Sequence, residues 1–296
     1  MAWSRGASLM GDDHSRFAVF ILTHGRPDNV ETIRALDKAG YTGRVYLIID
    51  NEDAKGDEYR RRFGSERVIE FDKAAVARTF DTADTSDDRR TIVYARNASF
   101  AIARDLGLDY FAQFDDDYYQ FLYRYPRGDR MGHTFIRKMD AVIDLMLGLL
   151  DSTGARTVAM AQGGDFIGGI GSTGATTPVL RKAMNSFFCR TDNPFTFLGR
   201  LNEDVNAYTL LGSRGDLFLT VTAVQLDQYA TQQNAGGMTS AYLDVGTYVK
   251  TFYTVMMCPS FVKVSVIGEL HHRFHHHVSW DHAVPKIINE RYRKAS

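Results

Sequence analysis

The stretch FAVFILT, residues 17–23, is an unbroken apolar run rich in β-branched and aromatic side chains, and it stops at the turn-forming cluster HGRPDN. A short run of this kind fits a strand covered on both faces and followed by a loop. The pattern recurs. RVYLII at 44–49 ends in DNED, and further runs lie at 68–71, 109–114 and 157–161. Between them lie helical patterns. Residues 29–39 place Val30, Ile33, Ala35, Leu36 and Ala39 on one face, with Asp28 or Asn29 as N-cap and Gly40 as terminator. Residues 54–63, 93–106 and 133–150 also read as helices, and 217–224 and 261–266 as later strands. Alternation of this kind predicts an α/β fold: a mixed, mostly parallel sheet with helices on both faces. The polar first 16 residues read as a disordered tail and 17–296 as a single domain. Within it, 17–130 reads as a nucleotide-binding half and 131–296 as an acceptor half with a C-terminal tail. Residues 79–90, TFDTADTSDDRR, read as a mobile loop.

Composition narrows the possible partners. A net charge of −1 gives no overall positive field to draw the chain to nucleic acid or anionic lipid. A nucleic-acid partner therefore needs a local basic patch, for which Arg60–Arg62, Tyr123–Arg130 and Lys286–Lys294 are candidates. No apolar run reaches the roughly 20 residues of a membrane span. Cys189 and Cys258 lie far apart in apolar contexts and read as buried free thiols of a reducing compartment, so a cytoplasmic location is expected.

Against that background YFAQFDDDYYQF, residues 110–121, stands out. It carries three adjacent carboxylates directly after an apolar strand. Charged groups are rarely buried without a partner. Strand alternation would send Asp115 and Asp117 the same way at the strand's carboxyl end, where open α/β sheets bind ligands. Two carboxylates aimed at one point call for a cation, and oxygen ligands favour Mg²⁺ or Mn²⁺ completed by water and phosphate. The bland alternative is an acidic solvated loop.

Other segments fall at the same edge. Thr23, His24, Gly25 and Arg26 offer backbone N–H groups and a guanidinium to a nucleotide diphosphate, and Asp50 can accept hydrogen bonds from a base or ribose. Arg96 and Asn97 lie near a helix start, which suits an anion. Glu203 and Asp204 head another helical stretch, either to favour its dipole or to provide a general base. Six of the nine histidines lie in HHRFHHHVSWDH, residues 271–282. Their spacing fits no zinc motif and no cysteine is near, so one of them completing the coordination of the aspartate-bound ion is the better reading. Gly-rich DFIGGIGSTG, residues 165–174, lacks the ending of a P-loop and reads as an acceptor or sugar loop.

In this order THGRP, Asp50, ARN, FDDD, ED and a late histidine resemble a GT-A glycosyltransferase over about residues 17–280. The resemblance implies a nucleotide-sugar donor, a UDP-sugar, with Mn²⁺ or Mg²⁺ held at a DXD motif, here Asp115-Asp116-Asp117. It also implies a catalytic acidic pair, Glu203-Asp204, and a metal-binding histidine among His271, His272 and His275. The fold hosts both inverting and retaining members. Residues 236–264 and the histidine stretch after them are further similar to the TET/JBP-associated glycosyltransferases of phages. That likeness implies 5-hydroxymethylpyrimidine in DNA as acceptor, and host cytoplasm as the location. The rivals are a metal-dependent nucleotidyltransferase or phosphohydrolase, a glycosyltransferase acting on protein or small-molecule hydroxyls, and a non-enzymatic binding module. The intact DDD and ED groups count against the last.

Overall fold

The computed structural model describes residues 16–171, 177, 179–183, 185–229, 238–268, 272–287 and 290. Among the described residues nine strands form one sheet. They are β1 (Phe17–Leu22), β2 (Arg44–Asp50), β3 (Val68–Phe71), β4 (Tyr110–Asp115), β5 (Tyr118–Arg127), β6 (Arg130–Phe135), β7 (Thr157–Gln162), β8 (Phe187–Arg190) and β9 (Phe218–Gln228). The order is β3-β2-β1-β4-β8-β7-β9-β5-β6. The pairings set seven strands in one direction, with only β8 and β5 running against them. A separate antiparallel ribbon joins β10 (Val262–Ile267) to β11 (Arg273–Val278). The helices are α1 (Glu31–Lys38), α2 (Gly56–Phe63), α3 (Lys73–Ala77), α4 (Val93–Asp105), α5 (Met139–Thr153), α6 (Glu203–Gly212), α7 (Met238–Met257) and α8 (Trp280–Ala283).

Strand alternation divides the interior in two. Val19 and Ile21 of β1 and Phe114 of β4 point to a core closed by Leu36 of α1 and by Met139, Ile143, Met146 and Leu150 of α5. Ala18, Phe20 and Phe111 point the other way, to a core closed by Phe100 and Ala103 of α4 and by Val205 and Tyr208 of α6. Both faces are covered, so the strands need no polar side and read as unbroken apolar runs. Cys189 and Cys258 are free and buried. No described helix is long and apolar enough to cross a membrane.

Several expectations need correction. Residues 118–135 form the hairpin β5–β6, and α5 begins only at Met139 instead of His133. Exposed arginines and aromatics on that hairpin hide the period-2 alternation. The boundary set at residue 130 falls where β6 begins, and its pairing with β5 crosses it. Neither Asp28 nor Asn29 caps α1. Val30 stands at that position without a side-chain cap, and Asp28 is held by Arg62. The acidic loop at 79–90 is tied down: Asp84 and Asp88 take Arg200 at 2.8 and 3.3 Å, and Asp84 also takes the Tyr253 hydroxyl. Residues 1–15 of the expected tail lie outside the described residues.

Candidate active site

The three aspartates sit where β4 turns into β5. Asp116 and Asp117 make the turn, so the alternation expected to send Asp115 and Asp117 the same way ends at Asp115. Thr32 of α1, buried beneath the turn, holds its shape. Its Oγ1 donates to the Asp115 carbonyl at 2.6 Å and accepts the Tyr118 N–H at 2.9 Å, while its N–H donates to the Asp116 carbonyl at 3.2 Å. Thr32→Val leaves the Tyr118 N–H buried without an acceptor. It should cost about 1–3 kcal/mol in denaturant unfolding and loosen the turn.

The carboxylates diverge. Asp116 turns inward, 1 % exposed, where Thr23 Oγ1 and Arg26 Nη2 each donate at 2.6 Å. Burial pushes its pKa up to about 6 even against Arg26. Asp115 Oδ1 accepts from Arg96 Nη2 at 3.0 Å. Asp117 stands differently: its Oδ1 is buried and accepts no hydrogen bond. Burial first, then the charges of Asp115 and Asp116, push its pKa up to about 7.

Arg96 joins the two acidic segments. It is 1 % exposed, its Nε donates to Glu203 Oε1 at 3.0 Å, and its guanidinium lies 4.9 Å from the Phe187 ring centroid. Burial disfavours its charge, but Asp115 and Glu203 outweigh burial and raise its pKa. Glu203 is pushed up to about 7 by burial and by Asp204 beside it. Asp204 Oδ1 accepts the Val205 N–H at 2.8 Å. The structure thus brings Glu203 and Asp204, more than eighty residues downstream, to the carboxyl end of β4. Arg96 is committed to carboxylates instead of facing an open anion site. Asn97 is likewise committed, pairing with the Phe197 backbone in both directions at 2.9 and 3.0 Å.

The loops after β1 and β2 meet beside the turn. Asp50 Oδ2 accepts from His24 Nδ1 at 2.8 Å and pairs with Lys73 Nζ at 3.1 Å. Burial opposes the Asp50 charge, but His24 and Lys73 prevail and its pKa is lowered, while the Asp50 hydrogen bond raises that of His24. Gly25, at φ +72°, donates its N–H to Asp53 Oδ2 at 2.7 Å. Tyr59 Oη lies 2.8 Å from both Thr23 Oγ1 and the Arg26 nitrogen. Thr32, Tyr59 and Lys73 escape a reading of the sequence, while Asp53 lies in the DNED loop that follows the second strand. Of the three, only Lys73 leaves a signal, since it follows the third strand at the same sheet edge.

His272 and His275 belong to the β11 region, His271 lies outside the described residues, and no three metal-binding side chains converge among those described. The turn itself still fits a hard cation. Asp117 offers a buried carboxylate oxygen without a hydrogen-bond donor, close to Asp115, and carboxylate oxygens are the ligands a hard cation takes.

Carboxylates and guanidiniums gathered over the carboxyl edge of a mostly parallel sheet define an α/β protein with its polar site where such sheets bind ligands. A family model described as TET-Associated Glycosyltransferase matches residues 17–237, and the chain belongs to that family. No curated protein matches it. Among solved structures it is similar to a mycobacterial protein, at 13 % identity over 94 % of this chain and 90 % of the other, with a TM-score of 0.46. It is similar also to glucosyl-3-phosphoglycerate synthase from Mycobacterium tuberculosis, solved with Mg²⁺ and UDP (10 % identity, 88 % and 86 % covered, TM-score 0.45). A third is S. aureus TarS 1–349, solved with UDP, at 10 % identity, 72 % of this chain and TM-score 0.41; the match spans 60 % of that chain.

Proposed function

We propose that this chain moves a sugar from a nucleotide-sugar donor, of the UDP-sugar class, to the hydroxyl of a 5-hydroxymethylpyrimidine in DNA. The observation that carries the reading is Asp117 Oδ1, buried and without a donor at the carboxyl end of β4, flanked by Asp115 and linked through Arg96 to an acidic pair. Family membership supports the sugar chemistry, and the family's TET association supports the DNA acceptor.

Asp115 and Asp117 are the residues that would hold Mn²⁺ or Mg²⁺, which when bound supplies positive charge to the leaving diphosphate. The loops after β1 and β2 close the donor end. Arg26 is fixed there by Asp116, and His24 and Lys73 by Asp50, each already placed before a ligand arrives. Because Arg96 holds Glu203, Asp204 is the member of the pair assigned the proton transfer. Asp204 accepts the proton of the acceptor hydroxyl. The freed oxygen forms a bond to the anomeric carbon as the bond from that carbon to the diphosphate oxygen breaks. Attack from the face opposite the leaving group inverts the stereochemistry.

The direct test offers a panel of nucleotide sugars with hydroxymethylated DNA and reads the digested nucleosides by mass spectrometry. A sugar-sized mass gain on the modified pyrimidine is expected, and no gain with any donor refutes the reading. Release of sugar phosphate or nucleoside monophosphate would mark a phosphohydrolase or nucleotidyltransferase. Excess chelator should abolish transfer and Mn²⁺ or Mg²⁺ restore it; full activity in chelator ends the metal role. Asp204→Asn should keep donor affinity while transfer falls by about 10²–10⁴, and a near-wild-type rate would place the base elsewhere.

A further inference from the structure

Two large aromatic side chains stand half-exposed beside the aspartate turn without a role in the chemistry above. Tyr119 at the start of β5 is 38 % exposed and Tyr229, just past the end of β9, is 41 % exposed. Their ring centroids are 5.0 Å apart at an interplanar angle of 44°. The Tyr229 N–H lies 3.4 Å from the Asp117 carbonyl, which fixes the pair at the edge of the turn.

Strand alternation on β9 leads Tyr229 to the catalytic face, and the ring contact holds Tyr119 against it where the β5 register shifts between Tyr118 and Gln120. Phe111 of β4 belongs to the core under α4 and α6, so Asp115 shares that face with Arg96 and Glu203. On β9, Val224 and Leu226 point to the opposite core, so Gln225, Asp227 and Tyr229 point to the α4–α6 face. Beside the tyrosines, Asp227 Oδ2 accepts from Gln120 Nε2 at 2.6 Å, and Asp227 Oδ1 accepts from Gln225 Nε2. Gln225 Oε1 in turn accepts from Arg124 Nε at 2.5 Å. A half-open aromatic surface is thus bordered by a fixed carboxylate. Each carboxylate oxygen has a second lone pair that can accept an exocyclic N–H. From this seat β5 continues to Arg127 and its register partner Arg130. At roughly 3.3 Å per residue that tip lies ~26 Å away, so its arginines would meet phosphates several nucleotides from a bound base.

We propose that Tyr119 and Tyr229 are the seat on which the acceptor's pyrimidine ring stacks, with Asp227 at its polar edge, so that the acceptor is bound as a base withdrawn from the helix. A ring held here lies on the same sheet face and edge as Asp115 and the acidic pair. A hydroxymethyl group inside a stacked duplex cannot reach a site of this kind, whereas an extruded base can. Aromatic faces bind bases by stacking largely irrespective of sequence. The inference rests on the DNA-acceptor reading given above.

The experiment has two arms. A single-stranded oligonucleotide carrying one 5-iodouracil is irradiated with the full chain, and the cross-linked peptides are identified by mass spectrometry. Cross-links at Tyr119 or Tyr229 are expected; cross-links confined elsewhere, or none, overturn the proposal. In the second arm, Tyr119→Ala and Tyr229→Ala should raise KM for a hydroxymethylated oligonucleotide about tenfold or more, with a smaller effect on kcat. Tyr119→Phe and Tyr229→Phe should restore KM to about twofold of wild type, because the ring face binds and not the hydroxyl. Alanine variants with the wild-type KM overturn the seat whatever the cross-links show, as does a KM increase that phenylalanine fails to rescue. A wild-type chain that cross-links at these tyrosines but transfers no sugar to any modified DNA refutes the acceptor reading alone and leaves the seat standing.

Discussion

Asp117→Asn is expected to abolish sugar transfer and at the same time to stabilise the protein above pH 7. The wild-type side chain is half-buried, with its Oδ1 buried and lacking a donor and two further aspartates beside it, and its pKa is pushed up to about 7. An ordinary carboxylate ionises near pH 4 in the unfolded chain. Between those values the unfolded chain releases a proton that the folded chain retains, so native stability falls as pH rises from about 4 to about 7. Below that window the group is neutral in both states and the loss vanishes. Asparagine cannot ionise, so the variant escapes the loss. Discounted for partial exposure, the gain at pH 8 is about 2–4 kcal/mol, which for a chain of this size is an increase in Tm of about 3–6 °C. Calorimetry in chelator at pH 5 and pH 8 checks this: the separation of the two proteins at pH 5 should be about a third of that at pH 8. An Asp117→Asn variant that melts below wild type at pH 8, or keeps its transfer rate, contradicts the assignment. The same comparison with Mn²⁺ present should favour wild type, because the cation supplies the missing partner. A residue whose removal stabilises the fold and abolishes the chemistry is serving a ligand.

Arg96→Met should have the opposite effect on stability. The guanidinium is buried between Asp115 and Glu203, with Asp204 adjoining, and it stacks near Phe187 and Phe197. Removing one partner of a buried ion pair leaves the others uncompensated and costs about 3–5 kcal/mol. The corresponding drop in Tm is roughly 5–8 °C. Arg96→Lys should recover little, because a single ammonium cannot address two carboxylates in the planar geometry that the guanidinium provides. Adding Glu203→Gln to Arg96→Met should recover part of the stability, and the double-mutant cycle then measures the coupling. Additive losses would mean that Arg96 and Glu203 do not act as a unit. Transfer should be lost in both backgrounds, since Asp115 and the segment carrying Glu203 and Asp204 lose the group that joins them.

The two variants also show where the sequence could be read and where it could not. Asp117 attracts attention in the chain because three carboxylates follow an apolar strand, a local pattern in adjacent residues. The strands before them, FAVFIL, RVYLIID and YFAQFD, are buried on both faces and so lack alternation, which makes them conspicuous. Arg96 and Glu203 are 107 positions apart, and no local pattern pairs them. Thr32 looks like any polar residue in the first turn of a helix. Its role appears only when α1 is laid against the β4–β5 turn. The hairpin β5–β6 escaped for a different reason: past Tyr118, Phe121 and Leu122 its arginines and tyrosines are exposed or half-buried, and edge strand β6 has no buried residue, so no regular buried stripe marks it.

By itself the sequence determined the layered α/β class, the position of an acidic site at a strand end, and the presence of a second acidic pair, because each is encoded by neighbours in the chain. Only the tertiary structure decided which carboxylate keeps an oxygen without a donor, which arginine joins the two acidic segments, and which tyrosines stand at the rim. Burial and long-range hydrogen bonding are properties of packed surfaces, and residues acquire them only when distant segments meet.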